Sequence, residues 1–356
     1  MSAAEEFEPY IAGAKRLIAE DVDKRVGETQ IVYYGEMPEG LETVSRTNHP
    51  AIEVPDDSGS AKYSVLMSGN FLSAKTVLIK AMSWSDHPGR GFEALREVLV
   101  ADEKEGLAVI GVSFPGTFLA SQHMTPKQRE SLKKEDFSYI GSQQWQAITS
   151  ALRSELARYS GNDNDISRRI KHYDFVLSGS SQGSVNAVGL FQSAPEGVSV
   201  KALGLAQEVG LEVQGWLAFR KNFLLHGGTK HGDYVAENAY NQYPPLGPDF
   251  GPLSLPNRMV VRPASHLGSV LKGMRRGGDV QRIIDTARKK NIQDLAVTLA
   301  TGTEDGVAPF EMTLRAGQVL KESGVIVAKV VRWEGHTHGV LDNLANAQQA
   351  FRSFAK

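Results

Sequence analysis

Five apolar runs decide what this chain can fold into. They are "LAVIGVSF" (107–114), "FVLSG" (175–179), "VKALGLA" (200–206), "DLAVTLAT" (294–301) and "VIVAKVVRW" (325–333), and their apolar residues follow one another instead of alternating. A strand with one wet face alternates with period two, whereas a strand covered on both faces does not need to. Helical patterns lie between the runs. In "QQWQAITSALRSELARY" (143–159) the residues Trp145, Ile148, Leu152, Leu156 and Tyr159 fall on one stripe, "FEALREVLVADEKEG" (92–106) reads as a helix, and another follows Ser184. Repeated β–α units with apolar strands give an α/β class, with a mostly parallel, doubly wound sheet covered by helices on both faces. Shorter β-like runs at 30–34, 62–67 and 76–82 precede this rhythm, and a helical stretch at 5–26 makes residues 1–28 an outer elaboration. The positions of Leu341, Leu344, Phe351 and Phe354 predict a last helix.

One segment breaks the alternation. Almost ninety residues separate the strands near 206 and 294, a stretch dense in Gly, Pro and aromatics that is too long for a loop inside a compact domain. The expected organisation is therefore a core of residues 1–206 and 293–356, with a cap inserted at 207–292. Residues 207–290 hold 12 Lys/Arg against 7 Asp/Glu, a local +5 in a chain of net −2, which fits an anionic group on a substrate or contact with an acidic surface, and fits a solvated basic face better than either. The group "KGMRRGG" (272–278) reads as a solvated loop.

The composition removes several chemistries. With no cysteine, the chain has no disulfide, thiolate metal ligand or cysteine nucleophile, and a reducing compartment such as the cytoplasm is the expectation. A net charge of −2 gives no long-range attraction to nucleic acid or to an anionic membrane. No run reaches the roughly 18 apolar residues of a membrane span. A small molecule is the partner that remains.

The chemistry sits in "YDFVLSGSSQGSVNAVGLF" (173–191), where a strand-like run meets a helix-like one across Gly179-Ser180-Ser181-Gln182-Gly183. The pattern G-x-S-x-G allows a tight turn, a phosphate cradle or a mount for a nucleophile. A phosphate loop would need a Lys-Ser/Thr pair, and a dinucleotide fingerprint a third glycine, neither of which is present. The strand-to-helix placement resembles the nucleophile elbow of the α/β-hydrolase fold. A serine hydroxyl needs a base in reach and the base an orienting acid, which that family supplies from turns after two later strands. In "TGTEDGVAP" Asp305 matches the acid turn, with Glu304 its neighbour, and in "EGHTHG" His336 follows Gly335 as the family's Gly-His turn does, with His338 a close alternative. The order Ser181, Asp305, His336 is that of the fold.

The resemblance covers roughly residues 60–206 and 292–356 and implies a serine hydrolase of a small acyl substrate, an ester or thioester, with no cofactor or metal. The His-x-His spacing also fits a metal pair, but a binuclear site would want an acid at the position that Val340 holds. The family's oxyanion donors are main-chain N–H groups. Gln182, next after the serine, is one, and Ser83 or Trp84 in "SWSDHPGRG" is the other, where the family more often has His-Gly. In "SFPGTF" Pro115 and Gly116 match a further turn of the family, while Ser113 and Phe118 replace its Asp and Gly. Acyl transfer and carbon–carbon hydrolysis use the same three residues, and a non-catalytic binding protein on this fold is a further alternative.

Overall fold

The five apolar runs become part of one eight-stranded sheet. A computed structural model describes residues 46–57, 59–83, 106–115, 124–158, 162–212, 215, 217, 219, 267–293, 295–324, 326–335 and 338. Its strands are β1 (Arg46–Asp56), β2 (Gly59–Ser68), β3 (Thr76–Ala81), β4 (Leu107–Val112), β5 (Asp174–Ser180), β6 (Ser199–Ala206), β7 (Leu295–Gly302) and β8 (Ile326–Trp333). They lie in the order β1-β2-β4-β3-β5-β6-β7-β8. β1 and β2 form an antiparallel hairpin, β2 runs antiparallel to β4, and every pair from β4 to β8 is parallel. Burial explains the apolar runs. β4 is buried at all six positions and β5 at its five central ones, whereas β8 at the end of the order leaves Val327 59% exposed.

Seven helices are described: α1 (Pro126–Lys133), α2 (Ser138–Ala157), α3 (Asp163–Lys171), α4 (Gln182–Gln192), α5 (Leu267–Gly277), α6 (Val280–Lys289) and α7 (Phe310–Glu322). α2 carries the expected stripe: Trp145, Ile148, Leu152 and Leu156 are all buried, and Trp145 packs edge-on against Phe175 of β5 while its Nε1 donates to Leu190 O at 2.8 Å. α4 is buried along nearly its whole length because it lies between the sheet, α2 and α5, so it has no polar face to show.

Several elements were not read from periodicity, β1, α1 and α3 among them. β1 holds two prolines and several polar residues; α1 and α3 each bury only two side chains and depend on caps. Thr125 and Gln128 form a reciprocal capping box with Pro126 in the first turn of α1, and Asn162 caps α3, whose acidic start and basic end both suit the helix dipole. The expected elements at 5–26, 30–34, 92–105 and 341–354 lie outside the described residues.

The segment "KGMRRGG" is not a solvated loop. It ends α5, and Arg275 donates from both Nε and Nη2 to one oxygen, Oε1, of the Glu135 carboxylate. Its glycines serve close packing: a Cβ on Gly273 would meet the Phe137 ring at 2.8 Å, and one on Gly277 would meet Val185 at 2.5 Å. Residues 267–289, inside the expected insertion, thus pack on α1, α4 and α7.

The tightest helix contact gives a test. A Cβ on Gly141 would stand 2.4 Å from Gly189 O, and one on Gly189 would stand 2.6 Å from Phe137 Cβ. On an exposed helix, Gly→Ala stabilises by about 1 kcal/mol. Gly189→Ala should instead destabilise by about 2–3 kcal/mol through overpacking, read by urea denaturation; a stabilised variant would contradict the packing.

Candidate active site

The site begins where β5 meets α4. Ser181 stands between them with φ 53° and ψ −123°, a backbone conformation that side chains rarely adopt. Its flanking glycines explain how the chain makes the turn. A Cβ on Gly179 would lie 2.1 Å from Gly183 O, and one on Gly183 would lie 2.6 Å from Ala81 O at the end of β3. Ser184 ties the turn down by donating to Gly179 O at 2.8 Å and Ala206 O at 2.9 Å, while Ser181 N–H donates to Ala206 O at 2.8 Å. A strained serine above a parallel sheet, at the start of a buried helix and in this strand order, defines the architecture. This is the α/β-hydrolase fold.

Two further strand ends of the hydrolase sheet complete the cluster. Asp305, 3% exposed, follows β7, and its Oδ1 accepts from the backbone of Val307 at 2.9 Å and Ala308 at 2.8 Å. Its Oδ2 accepts from Thr301 Oγ1 at 3.3 Å and Gln207 Nε2 at 3.4 Å. Glu304 beside it is exposed. The imidazole that meets this carboxylate is that of His338: Nδ1 lies 2.9 Å from Asp305 Oδ2 and 3.0 Å from Oδ1, and Nε2 lies 2.9 Å from Ser181 Oγ. An ionised carboxylate only accepts, so Nδ1 carries the proton and Nε2 is left to accept from the serine hydroxyl.

Of the expected residues, the structure therefore brings together Ser181, Asp305 and His338. His336, the first expectation for the base, lies outside the described residues, as does Trp84. Gln182 opens α4, at the positive end of that helix's dipole. Ser83, buried, comes to the same place from β3, its backbone N being 3.3 Å from where a Gly183 Cβ would stand. Ser113, in place of the family's Asp, fastens β4 to its neighbours instead: its Oγ accepts from Ser64 N–H at 2.9 Å and its carbonyl from Gln144 Nε2 at 2.9 Å. Among the described residues no group of three His, Cys, Asp or Glu side chains is placed to hold a metal ion. No described helix is long and apolar enough to cross a membrane.

No protein-family model and no curated protein matches the sequence. Solved structures do align with it. A carboxylesterase of the thaumarchaeon Nitrososphaera gargenis has a TM-score of 0.49 at 13% identity, over 85% of this chain and 96% of that one. A membrane phospholipase A described as a bacterial virulence factor has a TM-score of 0.49 at 15% identity, over 96% and 91%. A Bacteroides ovatus protein assigned as a dipeptidyl aminopeptidase IV gives 0.48 at 10% identity, and the aligned part is only 36% of its length.

Two consecutive buried residues after β6 carried no sequence signal. One is Gln207, which touches Asp305. The other is Glu208, 1% exposed, whose two carboxyl oxygens have no hydrogen-bond partner among the described residues and whose Oε1 lies 1.7 Å from where a Cβ on Gly278 would be. Burial pushes this carboxyl well above the usual carboxylate range, and the charge of Asp279 adds to it. The unfolded chain releases this proton near the ordinary value while the folded chain still holds it, so above that value stability falls as pH rises. Glu208→Gln removes the titration. The variant should therefore gain on the parent from pH 5 towards pH 9, by up to about 1.4 kcal/mol per pH unit. Urea denaturation at three pH values reads the difference; a flat difference would show that Glu208 ionises normally in the folded chain.

Proposed function

We propose that this protein is a serine hydrolase of carboxylic esters or thioesters, acting through a Ser181-His338-Asp305 triad. The observation that carries the reading is the continuous hydrogen-bonded path from Ser181 Oγ through both nitrogens of His338 to Asp305. Ser181 Oγ attacks the acyl carbon as its proton passes to His338 Nε2. The tetrahedral intermediate collapses with cleavage of the bond to the leaving alkoxide or thiolate, which takes the proton from His338. Water, deprotonated by the same nitrogen, then attacks the acyl-serine and releases the acid. Asp305 holds the Nδ1–H tautomer and faces the positive charge that the ring gains in each half.

On this reading the oxyanion is held by the backbone N–H groups of Gln182 and Ser83, which the 3.3 Å between Ser83 N and the place of a Gly183 Cβ supports; one such donor is worth about 3 kcal/mol. The lining of the acyl pocket belongs, on this reading, to a cap within 207–292, built from residues between Gln207 and α5. Two of the three basic residues of α5 already have carboxylate partners, Arg275 in Glu135 and Arg276 in Asp279.

Hydrolysis of p-nitrophenyl esters of increasing acyl length tests this. Ser181→Ala and His338→Ala should each lower kcat by about 10^4-fold or more, whereas His336→Ala should stay within a few-fold of the parent. Equal losses in the two histidine variants would overturn the assignment of the base. Hydrolysis that survives Ser181→Ala would overturn the mechanism.

A further inference from the structure

We infer that Gln207 is a positioning residue for the acid of the triad, setting how much of the Asp305 charge is directed at His338. The inference rests on the serine-hydrolase reading above and names a part of its machinery that the fold does not require.

Gln207 is the first residue after β6, and β6 lies between the strands that carry the serine and the acid. Its N–H donates to Ala300 O of β7 at 2.6 Å, so its backbone is fixed to the strand that leads to Asp305. Its side chain spans the gap. Nε2 reaches Asp305 Oδ2 at 3.4 Å, and Oε1 accepts from Ser180 Oγ, the residue before the nucleophile, at 3.4 Å. The amide can point only one way, because a carboxylate accepts and the Ser180 hydroxyl is there to donate. Gln207 thus shares Oδ2 of Asp305 with His338 Nδ1.

The backbone argues that this is more than filling. Gln207 has φ 52° and is 1% exposed. Among the described residues only four non-glycine residues have positive φ, and two of them, Ser181 and Gln207, meet at this site. Glycine would take that conformation without strain, and asparagine with less, but neither carries an amide far enough to reach the carboxylate. Strain that persists in a buried, hydrogen-bonded side chain beside reacting groups is strain with a task.

A donor to Oδ2 draws charge away from one of the two oxygens that face the imidazole. Without it, Asp305 favours the imidazolium more strongly, and the serine loses its base at a higher pH. The titratable groups beside the pair are His338, bonded to Asp305, and the chain neighbours Glu304 and Glu208.

Two variants separate this role from stability. Gln207→Met keeps length and packing but removes the donor; Gln207→Gly removes the side chain and relieves the backbone. Because the Asp305 carboxylate loses a tie that holds it in line with His338, both should lower kcat/KM for a p-nitrophenyl ester about tenfold with KM little changed, the size of one weak hydrogen bond to a charged group. Both should also move the acidic limb of kcat/KM upward by about half a pH unit. The far-downfield proton resonance of the Asp305–His338 hydrogen bond, read without substrate, should shift in both. An unmoved limb and an unmoved resonance in proteins that stay folded and remain Ser181-dependent would overturn the role of Gln207 alone. Activity that survives Ser181→Ala would overturn the serine-hydrolase reading and this inference together.

Discussion

The close approach of Gly179 to Gly183 is the contact on which the site depends. With 2.1 Å between the Gly183 carbonyl and the place where a Cβ would stand on Gly179, no other residue can hold that position without moving the helix off the strand. This contact lets the chain reverse from β5 into α4 within one residue, and that residue is Ser181. The same approach brings Gly183 against Ala81 and Ser83, so the end of β3 and the start of α4 form one surface below the serine. The positive φ of Ser181 is a consequence of this packing, and it is held because Ser184 and Ala206 bond the turn on both sides.

The parallel sheet then supplies the partners level with the serine. The register pairs Ser180 with Ala206, Ala206 with Ala300 and Thr301 with Arg332, so the carboxyl ends of β5, β6, β7 and β8 finish along one edge. Each end contributes one group in turn: Ser181, Gln207, Asp305 and His338. Ligands of open α/β sheets gather at this edge because the loops there converge, whatever the chemistry. Here the polar groups form one chain of hydrogen bonds instead of three separate contacts.

Much of this was readable from residue order. Apolar runs gave the parallel strands because burial on both faces leaves nothing for a polar residue to do. Ser181 and Asp305 stood out because each occupies a small-residue turn after such a run. The histidine was different. His336 and His338 stand two positions apart in the sequence after Gly335, and local pattern favoured the one beside the glycine. Meeting Ser181 requires reach, since its strand lies three places from β8, roughly 14 Å by strand spacing. Reach is a property of the fold and not of the letters. Gln207 and Glu208 were invisible for a related reason: a polar pair after a strand reads as the start of a solvated loop, whereas here Gln207 is buried between Ser180 and Asp305 and Glu208 against Gly278. The same packing hid α5, whose glycines signalled a loop while serving contacts with Phe137 and Val185.

The central claim is that Ser181 is a nucleophile activated by His338. Covalent labelling with a fluorophosphonate, followed by peptide mapping, measures it without any choice of substrate, because the reagent needs only an activated hydroxyl and an oxyanion site. A single adduct on Ser181, formed far more slowly in His338→Ala, is the predicted result. An adduct on another residue, or labelling of Ser181 at the same rate without His338, would contradict it.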